Sequence, residues 1–68
     1  MKTYKLVKRI TDENEIRIFA HTENWVVESE LQIEDNYYIR RILNNDWLYY
    51  IHIKDDKIIK ICVYREDI

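Results

Sequence analysis

Short runs in which apolar and polar positions alternate make up most of this chain, and Asn/Asp-rich clusters interrupt them about every eleven residues. The clusters are Thr11-Asp12-Glu13-Asn14, His21-Thr22-Glu23-Asn24, Glu34-Asp35-Asn36, Asn44-Asn45-Asp46 and Lys54-Asp55-Asp56-Lys57. The most regular run is Trp25 to Ile33, where Trp25, Val27, Leu31 and Ile33 alternate with Glu28, Glu30 and Gln32. That two-residue period is the signature of a half-buried strand. Thr3 to Ile10 alternates less cleanly. Glu15 to His21 sets Ile16, Ile18 and Ala20 against Arg17, Phe19 and His21, which reads as a further strand.

The last third reads as a hairpin. Trp47, Tyr49, Ile51 and Ile53 form one face of its first arm, and Ile59, Ile61 and Val63 one face of its second. A three-residue loop at Asp55-Asp56-Lys57 pairs Ile53 with Ile59, Ile51 with Ile61 and Tyr49 with Val63, so the apolar sets coincide. A two-residue loop pairs Ile53 with Ile58 and splits them. Because a one-residue slip moves a whole apolar set to the other face, the first register is expected.

The pattern therefore predicts an all-β fold: a small single-domain antiparallel meander or barrel of five or six short strands covering residues 1–68. The alternative is an α+β fold with one short helix near residues 36–44. There Tyr38, Ile39, Ile42 and Leu43 make a helical stripe, Asp35 is a candidate N-cap, and Asn44 or Asn45 a candidate stop.

Composition narrows the chemistry. The chain has 68 residues with no glycine and no proline. Phosphate-cradling loops and nucleophile elbows depend on glycine, so both are excluded. In its place, Asn and Asp in the clusters must supply the positive-φ turn positions. A core this small is marginal and calls for a staple. Cys62 is the single cysteine, so no disulfide forms within the chain, and His21 and His52 have no thiolate near them in sequence to make a zinc site. What is left is an aromatic core of six tyrosines, two tryptophans and one phenylalanine, or a homodimer or other protein partner.

No cofactor and no metal site is expected, and no enzyme activity. Hydroxyl groups occur in no activating motif, and the paired carboxylates sit at turns or at the terminus. Cys62 and His52 fall diagonally on adjacent arms, with no oxyanion cleft beside them. The first residues lack the apolar segment of a signal peptide, and no run is long enough to span a membrane. With an unpaired cysteine, this leads to a cytoplasmic expectation.

Charge is segregated along the chain. The net value is -2. Residues 1–10 carry Lys2, Lys5, Lys8 and Arg9 and no acid, whereas residues 11–36 carry eight acids against Arg17. A basic first strand beside acidic ones is one consequence, and an acidic binding surface is another. Ile, Lys, Asn, Tyr, Phe and Met, whose codons are AT-rich, number 31 against six for Gly, Ala, Arg and Pro, which suggests an AT-rich genome such as that of a low-GC bacterium, its phage or an archaeal virus.

Two surfaces are candidate sites. On the outer face of the C-terminal hairpin, Tyr50, His52, Lys60 and Tyr64 fall together with Cys62, and Tyr38 and Arg40 join them if residues 37–43 pair as a strand. This is a candidate partner-binding surface. Glu28, Glu30 and Glu34 form a candidate acidic ridge. The functional expectation is a small non-enzymatic binding module working by protein–protein contacts, as an accessory or inhibitor protein of a phage or mobile element. The alternative is a small β-barrel that binds single-stranded nucleic acid through the aromatic and basic sheet face.

Overall fold

The computed structural model describes residues 2–22 and 26–67. Trp25, at the start of the best-patterned run, lies outside them, as do Glu23 and Asn24. Strand β1 (Thr3–Ile10) leads into helix α1 (Glu13–Thr22). Four strands then form a meander: β2 (Val27–Glu34), β3 (Tyr37–Asn44), β4 (Trp47–Lys54) and β5 (Lys57–Asp67). β1 joins the far side of β5, giving the spatial order β1-β5-β4-β3-β2 with every neighbouring pair antiparallel. β1 and β2 are the two edges. The mostly-β expectation holds in its meander form, and the sheet stays open.

The helix sits elsewhere than the alternation implied. Residues 15–21, expected as a strand, belong to α1. Asp12 starts it: its carboxylate accepts a hydrogen bond from the Glu15 amide at 3.0 Å, and its carbonyl accepts from the Ile16 amide at 2.9 Å. An Asp cap followed three residues later by Glu is a capping-box pattern. Glu13 and Glu15 in the first turn and His21 in the last suit the helix dipole. Ile16, Phe19 and Ala20 then share a face at helical spacing, and the Phe19 and Tyr49 rings meet edge to face with centroids 5.3 Å apart. Ten residues make a marginal helix alone, so this packing is what holds it.

Residues 37–44, where a helix was the alternative, form β3. It pairs with β2 on one side and β4 on the other, so strand ladders serve both sides of its backbone. That gain outweighs the helical stripe, which Tyr and Ile support only weakly.

Turn chemistry explains the C-terminal hairpin. Asp55 and Asp56 have φ of 52° and 62°, the paired positive values of a type I′ turn. The loop therefore has two residues, with Lys54 opposite Lys57 and Ile53 opposite Ile58. This corrects the expected Ile53–Ile59 pairing. A bulge at Ile59 then shifts the register, and His52 faces Lys60, Ile51 faces Ile61 and Tyr49 faces Val63 as expected. The bulge reconciles a turn that needs two residues with an apolar pattern that needs three. Asn45, with φ of 55°, serves the β3–β4 turn.

The core lies between α1 and one sheet face. Ile10, Ile16, Ile42, Tyr49, Ile51, Ile53, Ile61 and Val63 form it, with Ile61 fully buried at its centre. Phe19, Tyr38, Trp47 and Ile58 pack around it. Beside Phe19 and Ala20 the helix leaves a small apolar cavity of about 60 Å³, with Arg40 among its lining residues.

Candidate functional site

The other sheet face has no helix on it. Side chains alternate along a strand, so the pairing register assigns its occupants. β4 contributes Leu48, Tyr50 and His52. Opposite them, β5 places Tyr64, Cys62 and Lys60, and β3 places Leu43, Arg41 and Ile39, with Tyr37 beyond. β1 adds Leu6 opposite Tyr64 and Arg9 opposite Cys62, and β2 adds Leu31 opposite Ile39.

A solvent-facing antiparallel face is normally polar. This one is not. Leu48 is 4% exposed and Cys62 6%, although neither belongs to the helix-side core. Their neighbours cover them. Tyr50, opposite Cys62, and Tyr64, opposite Leu48, meet edge to face with centroids 5.5 Å apart. Around this centre Leu6, Leu31 and Leu43 remain 40%, 61% and 40% exposed, and Ile39 and Tyr37 are half-buried.

Polar groups lie around this apolar centre, with Lys54, Glu34 and Glu66 toward the strand ends. The Tyr37 hydroxyl and His52 Nδ1 share a 2.8 Å hydrogen bond, with the rings in an edge-on contact. Burial pushes the His52 pKa below its ordinary value, and the positive charge of Lys60 opposite pushes it the same way. Cys62 and His52 keep the diagonal relation read from the sequence, and the hydrogen bond of His52 goes to Tyr37. Arg41 holds Glu28 at 2.9 Å. Among the described residues, Arg9, Lys60 and Lys54 on this face have no ion-pair partner, against Glu34 alone among its acids, so its unbalanced charge is positive.

The structure separates the candidates that the sequence grouped. Tyr50, His52, Lys60 and Tyr64 do share the open face. Tyr38 and Arg40 do not: they stand opposite Ile53 and Ile51, on the helix-covered side. There Arg40 lies over the Tyr38 ring at 5.3 Å and holds Glu30 at 3.0 Å. The residues that β3 places on the open face instead are Tyr37, Ile39, Arg41 and Leu43. One signal would have found them: a two-residue turn at Asn45-Asp46 pairs Asn44 with Trp47 and fixes the parity of the whole strand.

The acidic ridge is also divided. A bulge between Val27 and Ser29 breaks the alternation, so Glu28 reaches Arg41 and Glu30 reaches Arg40, two adjacent residues on opposite faces. Glu34 stands opposite Tyr37 at the far end of the strand. These half-exposed ion pairs each contribute about 0.2–1 kcal/mol. They tie the edge strand β2 to β3.

Among the described residues no group of three or more His, Cys, Asp or Glu side chains is placed to hold a metal ion. No described helix is long and apolar enough to cross a membrane. Comparison with protein-family models, curated proteins and solved structures finds no match for this chain.

Proposed function

We propose that this chain is a non-enzymatic binding module of the accessory or inhibitor kind, and that the open sheet face is its protein-docking surface. The observation that carries this is the one-sided sheet: α1 covers one face, while the other buries Leu48 and Cys62 under tyrosines and leaves Leu6, Leu31 and Leu43 exposed around them. A contiguous apolar patch with Tyr and Arg is the composition that protein interfaces favour. The preponderance of aliphatic side chains supports a protein surface over stacked bases. A shared apolar face loses little on contact with another protein, whereas a base needs a free ring face, and Tyr50 and Tyr64 already pack on each other.

The test is capture from lysate of the native host by the immobilised chain, with a Leu31→Glu variant beside it. Proteins retained by the native chain and lost with the variant are expected. Identical capture by both would count against the face. The uncompensated charge of Arg9 and Lys60 supports a second reading, single-stranded nucleic acid lying across the same face. Gel shifts with single-stranded DNA and RNA at low salt separate the two. Nucleic-acid binding is expected to be absent; a shift that weakens steeply with salt would favour the second reading.

A further inference from the structure

Resting on the open face as a protein-docking surface, we propose that its occupant is a second copy of this chain, seated face to face about a two-fold axis that runs along β4. The product is a four-layer dimer with the two helices outside and the two sheets packed together within.

Area is the first argument. Five strands about 4.8 Å apart, with a rise of about 3.3 Å per residue, give a face of roughly 600 Å². Two such faces bury about 1,200 Å² in all, the lower end of what specific dimers bury. Aligned sheets pack in this way about 10 Å apart, with inner-face side chains interdigitating. A 68-residue chain with a one-sided core gains a second core by this route.

Charge selects the axis. β4 is the middle strand, and on the open face the two edges differ in sign: β1 places Arg9 there and β2 places Glu28 and Glu34, while Lys5, Lys8 and Glu30 stand on the helix side. A two-fold along β4 lays the basic edge of one copy over the acidic edge of its partner. Arg9, unpaired and on the open face, then approaches the side of β2 that bears Glu28. A two-fold across the strands lays β1 over β1 and β2 over β2, like charge on like. Pairing edge to edge about a two-fold joins the same strands side by side and meets the same repulsion. The central strands agree with this choice. Along the axis Leu48, Tyr50 and His52 meet their own copies, and the Lys60, Cys62 and Tyr64 row of β5 meets the Ile39, Arg41 and Leu43 row of β3.

Sedimentation equilibrium of the native chain tests the association, and single-cysteine variants in a Cys62→Ser background test the axis. We expect a dimer that dissociates on dilution. Leu43→Glu and Arg9→Glu, both at exposed positions, should each raise the dissociation constant at least tenfold while far-UV circular dichroism is unchanged. Tyr50→Cys and Lys54→Cys should both cross-link to their own copies through a short bifunctional thiol reagent, because the axis follows the strand between them. Cross-linking at only one of the two, or a dimer indifferent to both charge-introducing variants, overturns the geometry. A native chain that stays monomeric at millimolar concentration overturns the self-association. If that monomer still captures another protein through Leu31, the docking face survives with a different occupant; if it captures nothing, both readings fall.

Discussion

At Asp56 the missing glycine has a measurable cost. Asp55 and Asp56 both adopt positive φ, and the second position of a type I′ turn is where glycine is preferred. Asp tolerates the left-handed region better than most residues, yet still at a cost. Asp56→Gly should therefore stabilise the chain by about 0.5–1 kcal/mol, read from the urea midpoint at unchanged slope. Asp55 is a poorer choice because its carboxylate accepts a hydrogen bond from the Asn36 side chain, tying two turns together. His52 makes a second prediction at this scale. Its folded pKa lies below the ordinary 6.5, first through burial and then through Lys60, so the unfolded chain binds the proton more readily. The stability this residue contributes is complete above about pH 6.5 and is lost as pH falls from there through the lowered folded value. Thermal melts across pH 7.5 to about 5 should show a steeper acid decline for the native chain than for His52→Gln.

Among the elements, α1 depends most on its first residue. Asp12 caps it, and removing that carboxylate in Asp12→Ala should cost about 1 kcal/mol, seen as a lower urea midpoint. The same element shows how periodicity misleads. In Ile16, Ile18 and Ala20 the two-residue pattern is present, and so is the helical pattern of Ile16, Phe19 and Ala20. Over seven residues the two overlap, and the Asp12-to-Glu15 cap was the legible signal that decides between them. For β3 the ambiguity ran the other way: its own residues allow a helix, and only ladders on both sides make it a strand. The β4–β5 hairpin lay between these cases. Its faces were legible from the apolar pattern, whereas the bulge at Ile59 arises from a turn and a pattern that disagree by one residue.

For the whole molecule, one core on one side of an open sheet leaves little reserve. Total stability for a domain this size is a few kcal/mol, and Ile61 sits at the centre of what provides it. Ile61→Ala should cost about 2–5 kcal/mol, enough to leave a large unfolded fraction by circular dichroism at 37 °C. The same shortage of core accounts for the two sheet faces. Ten helical residues cannot cover five strands twice, so one sheet face has no helix on it. Four of the six candidate surface residues were legible because the hairpin supplied them: Tyr50, His52, Lys60 and Tyr64 follow from one register. Tyr38 and Arg40 were misplaced because the face of β3 depends on its turn.

Local chemistry determined much by itself. Outside residues 15–21 alternation gave strands, the Asn and Asp clusters between β2, β3, β4 and β5 gave turns, and the lack of glycine left positive φ to Asn45, Asp55 and Asp56, because these depend on neighbouring residues and on allowed backbone angles. The tertiary structure decided which strands become edges, that the sheet stays open, and which face α1 covers. Those outcomes depend on pairings between residues far apart in sequence, such as Ile10 with Ile61, whose energies appear only once the chain has brought them together.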